Sequence, residues 1–194
     1  MKRLVRHLHR DDGFSLVEVM VASLLFLVMV MAALSLLDSG TKSERTSQAR
    51  NDAQAMLRRA VAQMSKEIRQ TTLVDSSSDQ SDLYMKTLLQ GVEYWVSYKV
   101  VGTPPNATLR RAQCSSPASS TTISCLASAV SVQLADRVVA PQAFCYQFDD
   151  PDCLATVPTT TLSSVHVSLQ VAPVAFASGS VTLATDVHLR NIQQ

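Results

Sequence analysis

The pattern of apolar and polar positions changes twice along the chain. Residues 1 to 13, MKRLVRHLHRDDG, form a basic leader with Lys2, Arg3, Arg6 and Arg10, and His7 and His9 between them. From Phe14 to Leu37 the sequence reads FSLVEVMVASLLFLVMVMAALSLL, 24 residues with one ionisable side chain, Glu18, and no Pro or Gly. At ~1.5 Å per residue such a helix is roughly 36 Å long, against a bilayer hydrocarbon core of about 30 Å, so the run can span. Positive residues precede it and the segment Asp38 to Glu44 is close to neutral, which by the positive-inside rule leaves the leader in the cytoplasm and the remainder outside.

Beyond Leu37 polar residues enter without loss of helical period. Leu57, Val61, Met64 and Ile68 recur at spacings of four, three and four, with Ala53 and Ala60 on the same side and Arg50, Asp52, Arg58, Arg59, Lys66 and Arg69 around the rest. The pattern predicts one helix from Phe14 to about Thr71, whose 58 residues would extend roughly 87 Å. Gly40 is a soft point in it. Thr41-x-x-Glu44 has the spacing of a capping box, at which a second helix could begin. Asp75-Ser76-Ser77-Ser78-Asp79 then ends the helical pattern, because these side chains compete for backbone hydrogen bonds.

A period of two follows. Val92, Tyr94, Val96, Tyr98 and Val100 form an apolar face opposed by Glu93, Trp95, Ser97 and Lys99, and the Gly102 to Asn106 turn leads into Leu109 to Gln113, predicting a β-hairpin. Phe144, Tyr146 and Phe148 alternate, as do Val165, Val167, Leu169 and Val171, and then Val181, Leu183, Val187 and Leu189, with Ser178-Gly179-Ser180 between the last two runs. These predict a second antiparallel sheet. The expected class is α+β: a leader at 1–13, a long helix at 14–72 with its transmembrane part at 14–37, and an extracytoplasmic β-rich head at 73–194 resting on the Leu57/Val61/Met64/Ile68 stripe.

Composition bounds the rest. With 194 residues and 46% hydrophobic content there is room for one ordinary domain plus an accessory element. A balance of 17 Lys and Arg against 16 Asp and Glu leaves no overall electrostatic footprint for nucleic acid. The basic pairs Arg58-Arg59 and Arg110-Arg111 stand apart with no aromatic interleaving, so they read as solvated surface. No G-x-S-x-G elbow, H-E-x-x-H, P-loop or dinucleotide turn occurs, and neither an enzyme nor a cofactor is expected.

Cys114, Cys125, Cys145 and Cys153 all fall in the predicted head, where disulfides persist. Three connectivities are open; local pairing, Cys114–Cys125 and Cys145–Cys153, is favoured because each pair brackets a polar, loop-like stretch. A zinc site is a poor fit, with no C-x₂-C and no His near the pairs. His166 and His188, on adjacent predicted strands, would form a cross-strand pair, more commonly solvent-facing than metal-binding. Asp149, Asp150 and Asp152 beside Pro151 read as an acidic turn rather than a calcium loop.

Glu18 does not fit a plain anchor. A carboxylate at the centre of a membrane helix costs about 2.5 to 3.5 kcal/mol on insertion scales, less near the end, so a partner for Glu18 is expected. The string Gly13-Phe14-Ser15-Leu16-Val17-Glu18-Val19, after a basic leader and opening an apolar run, resembles the class III signal of type IV prepilins and type II secretion pseudopilins. That family has Gly before the scissile bond, a hydrophobic residue, usually Phe, after it, and Glu as the fifth mature residue; Gly13, Phe14 and Glu18 match in turn. An ordinary signal peptide, which loses its apolar region, is the weaker alternative despite Ala32, Ala33 and Ser35.

The resemblance implies that a prepilin peptidase cuts between Gly13 and Phe14 and methylates the new amine. It implies that the membrane holds the subunit before an assembly platform moves it into a filament, where Glu18 meets the N-terminal amine of a neighbouring pilin subunit. It makes the fold pilin-like. Trimming would move the net charge from +1 to −1 by removing four basic and two acidic residues. The head resembles those of minor pilins and minor pseudopilins in its LRRAQC segment and closing TLATDVHLRN, and no Pro interrupts Phe14 to Val101 as one often does in major pilins. The expected role is a structural minor pilin-like subunit of a type IV pilus-like filament, inner-membrane and then cell-surface, with no specific nucleic-acid binding. A minor pseudopilin of type II secretion or a competence pilus is the alternative within the class. A single-span surface receptor or adhesin is the alternative outside it.

Overall fold

The computed structural model describes residues 15–115, 123–147, 154–157, 162–173 and 179–190. One helix, α1, runs Leu16–Arg69, followed by β1 (Thr71–Val74), β2 (Asp82–Leu89), β3 (Val92–Val101), β4 (Ala107–Gln113), a short 3₁₀ helix (Ile123–Ala127), β5 (Ser131–Val138), β6 (Phe144–Gln147), β7 (Ser164–Val171) and β8 (Val181–His188). The chain divides into two compact units, Met1–Arg45 and Thr46–Gln194. The architecture is α+β, a long N-terminal helix followed by an antiparallel head, and is pilin-like.

α1 opens where Ser15 accepts backbone hydrogen bonds from Glu18 (2.9 Å) and Val19 (3.2 Å). Ser15 and Glu18 thus stand at the N-cap and third positions, the spacing of a capping box, and the Glu18 carboxylate sits at the positive end of the helix dipole. Gly40 causes no break, and nothing lies within 4 Å of where its Cβ would be. The helix closes at Arg69 rather than near Thr71, because Thr71–Val74 is already a strand paired with β2 through Thr71↔Thr87 and Val74↔Met85.

In the second unit the predicted stripe is the buried face. Ala53, Leu57, Ala60, Val61, Met64 and Ile68 join one core with Leu83, Met85, Val96, Tyr98, Leu109 and the inward residues of β7. The predicted hairpin is β3–β4, in register from Val96↔Gln113 to Val101↔Thr108. β2 and β3 form a tighter one: Leu89 pairs with Val92 across Gln90 (φ 53°) and Gly91 (φ 83°), the two positive φ values a type I′ turn requires. Gln is a rare carrier of that conformation, so no Asn-Gly signal marked it.

One expectation is corrected. A single eight-stranded sheet replaces two sheets: β5 joins β7 at Val138↔Val171, and the Val139 amide donates to the Gln170 carbonyl (2.8 Å) beside it. β7 thereby takes β5 and β6 along one edge and β8 along the other. Trp95 and Ser97, on the face of β3 opposite the predicted apolar one, are also buried, at 1% exposure each. The Ile123–Ala127 helix packs against β3 there and covers this second face.

Candidate functional site

Gly13 and Phe14 lie outside the described residues. Glu18 is exposed in the first turn of α1, and the apolar side chains from Leu16 to Leu37 around it are exposed as well. This part of the helix is long and apolar enough to cross a membrane, and none of its most apolar window is buried within the chain. A surface of this kind is stable only against lipid or other apolar helices.

At its other end α1 carries a buried carboxylate. Glu67 accepts hydrogen bonds from Arg111 Nε at 3.0 Å to each oxygen and from the Tyr98 hydroxyl at 2.7 Å, and Arg111 also donates to Gln113 Oε1 at 2.9 Å. The Glu67 carbonyl accepts from Thr71 and Thr87 as the helix ends. Burial opposes charge on Arg111, but Glu67 overrides it and holds the guanidinium pKa above its usual value. Burial and the Glu67 charge push the Tyr98 hydroxyl well above the ordinary tyrosine range. The cluster ties α1 to β3 and β4, and it corrects the reading of Arg110-Arg111 as surface: Arg110 is exposed whereas Arg111 turns inward. The missed signal was Glu67 itself, an acid three residues after Met64 on the apolar stripe, in the last turn, where the helix dipole disfavours it.

Cys114 and Cys125 form a disulfide with Cα atoms 5.6 Å apart. The Cys114 amide donates to the Trp95 carbonyl (3.0 Å), so the bridge pins the 3₁₀ helix to the outer face of β3. Cys145 is also disulfide-bonded; Cys153 lies outside the described residues, as do Phe148, Asp149, Asp150 and Asp152. The cross-strand partners are not the two histidines. His166 pairs with Asp186, Nδ1 to Oδ1 at 2.6 Å, and His188 stands opposite Ser164. Among the described residues no group of three His, Cys, Asp or Glu is arranged to hold a metal.

A membrane-length apolar helix with a carboxylate in its first turn leads into a head built on its amphipathic end, a pilin-like α+β architecture. Residues 8–34 match the model of the prokaryotic N-terminal methylation motif, the class III signal of type IV prepilins. No curated protein and no solved structure matches the chain. The motif marks a pilin-like precursor, of a kind that is structural rather than enzymatic, is processed by a peptidase and assembles with other pilins.

Proposed function

We propose that this protein is a minor pilin-like subunit, cut between Gly13 and Phe14, methylated on the new Phe14 amine, and incorporated into or priming a type IV pilus-like filament. The observation that carries the reading is the coincidence of the methylation motif at residues 8–34 with a helix whose apolar half is left exposed by the described residues. The inner membrane holds that half first, with the head outside; neighbouring subunits replace the lipid when the filament forms. Glu18 then pairs with the Phe14 ammonium of an adjacent subunit, since two opposite charges stranded in apolar surroundings cost least together. The disulfides suit an oxidising exterior.

The test is the N-terminus of the membrane-extracted protein, read by intact mass and peptide sequencing. A chain beginning with N-methyl-Phe14 is expected. A chain beginning after Ala33 would make it an ordinary exported protein, and an uncut Met1 would favour a single-span receptor.

A further inference from the structure

The outer face of β6, β7 and β8 carries a row of three reactive groups that the core does not use. Phe144 and Tyr146 on β6 and Val165 and Val167 on β7 belong to the core, so strand alternation turns Cys145 and His166 to the opposite face. Cys145 stands directly opposite His166 in the β6–β7 register, and His166 directly opposite Asp186 in the β7–β8 register. Side chains opposed in this way have Cβ atoms about 4.5–5.5 Å apart, which makes the Cys145 sulfur and the imidazole neighbours. His166 Nδ1 lies 2.6 Å from Asp186 Oδ1, so the carboxylate orients the ring and Nε2 is the nitrogen it does not engage. The next row on this face, Gln147, Ser164 and His188, adds an imidazole and no acid.

A sulfur, an imidazole beside it and a carboxylate behind the imidazole form the arrangement that stabilises a thiolate. Here the sulfur is disulfide-bonded. A better-stabilised leaving thiolate makes a disulfide both faster to open and easier to reduce. The Cys114–Cys125 bridge has no such support: it joins the end of β4 to the 3₁₀ helix, whereas His166 and His188 are on β7 and β8.

We infer that the Cys145 bridge is redox-active and exchanges electrons with an external dithiol. One thiolate of the dithiol attacks the sulfur bonded to Cys145, the S–S bond breaks, and its electron pair leaves on Cys145. The proton given up by that thiol is the one His166 takes up, so the new thiolate faces an imidazolium held by Asp186. The second thiol of the reductant then displaces the other protein sulfur, which receives its proton. The dithiol is oxidised to a disulfide and the protein bridge is reduced to two thiols, two electrons in all. Cys145 is 5% exposed, which suits the leaving sulfur rather than the one attacked. Asp186 acts only through His166 and is a positioning residue.

The experiment equilibrates the full-length protein in detergent micelles, at neutral pH, with mixtures of reduced and oxidised dithiothreitol, followed by acid quenching, alkylation and peptide mass spectrometry of each cysteine. The Cys145 bridge is expected to be half reduced at a ratio of reduced to oxidised dithiothreitol at least tenfold lower than Cys114–Cys125 requires. His166→Gln should remove most of that difference, Asp186→Asn should shrink it severalfold, and Ser168→Ala should leave it unchanged. In the reduced protein, ultraviolet thiolate absorbance should develop at lower pH in the wild type than in His166→Gln, a change that a purely structural role of the ring would not produce. Equal reduction of the two bridges, an undiminished difference in His166→Gln, or coincident thiolate titrations would overturn the assignment. So would a loss in His166→Gln accompanied by a lowered melting temperature of the oxidised protein, which would trace the effect to strand packing.

Discussion

Arg111 on β4 places Nε 3.0 Å from both carboxylate oxygens of Glu67, which lies 44 residues earlier in the last turn of α1. Both side chains are largely withdrawn from water, at 14% and 8% exposure. Removing one member of such a pair strands the other, at a cost of about 3–5 kcal/mol, whereas replacing both with apolar groups is often close to neutral. Arg111→Met is therefore expected to destabilise the head strongly, and Glu67→Leu combined with Arg111→Met much less. Urea unfolding followed by Trp95 emission checks this; equal losses in the single and double variants would show that the pair is not the source.

The stripe on α1 should behave as a core. Met64 is fully buried, and Met64→Ala is expected to cost about 2–5 kcal/mol in the same unfolding experiment. Leu25, at 63% exposure, should be replaceable by Ala with no change in head unfolding. A comparable loss from both would mean that the apolar half of the helix also supports the head.

Acid should weaken the head through two carboxylates. Burial works against charge on Asp79, but hydrogen bonds from the Ser81 hydroxyl and the Ser81 and Asp82 amides, with Lys99 nearby, outweigh it and lower the pKa below 3.8. Glu93 is held below 4.5 by its bonds to Lys86 and Thr72, which outweigh a smaller effect of burial. As pH falls the unfolded chain takes up these protons first. Their contribution is thus complete above the unfolded values and is lost as pH drops through them to the folded values. Stability should decline below about pH 4.5, and Asp79→Asn with Glu93→Gln should flatten that decline while lowering stability at neutral pH. An unchanged acid slope in the double variant would place the dependence elsewhere.

The Cys114–Cys125 bridge should be needed to keep Trp95 covered. Trp95 is the one tryptophan in the sequence, so its emission reports directly on the 3₁₀ helix above it. Replacing both cysteines with Ser is expected to red-shift that emission and to cost about 2–4 kcal/mol, the usual worth of a loop of this size. Unshifted emission would show that packing alone holds the cover.

Glu18→Leu separates anchoring from assembly. Membrane insertion should be intact, since Leu is the better membrane residue, and incorporation into filaments should fall to background in pulldown of sheared surface fractions. Incorporation at the wild-type level would remove the proposed Glu18 pairing. A bulky residue at Gly13 should leave the precursor untrimmed, as seen by a mass including the leader.

The features the sequence determined alone are those written in short-range periodicity. A 24-residue apolar run, a three-and-four stripe from Leu57 to Ile68, and the alternation at Val96, Tyr98, Val165 and Val167 each state which face meets an apolar surface, because helix and strand geometry repeat within a few residues. Glu18 was legible for the opposite reason, as a single ionisable group where the apolar run tolerates none. What depends on distant parts of the chain was not legible. Whether β5 and β7 share a sheet is decided at Val138 and Val171, and the inward turn of Arg111 by the place of Glu67 at the end of a helix packed on β4. The burial of Trp95 and Ser97 follows from a bridged segment folding back over the face opposite the apolar alternation. A side chain's periodicity reports its own face of the sheet; only the tertiary structure decides what comes to rest on the other one.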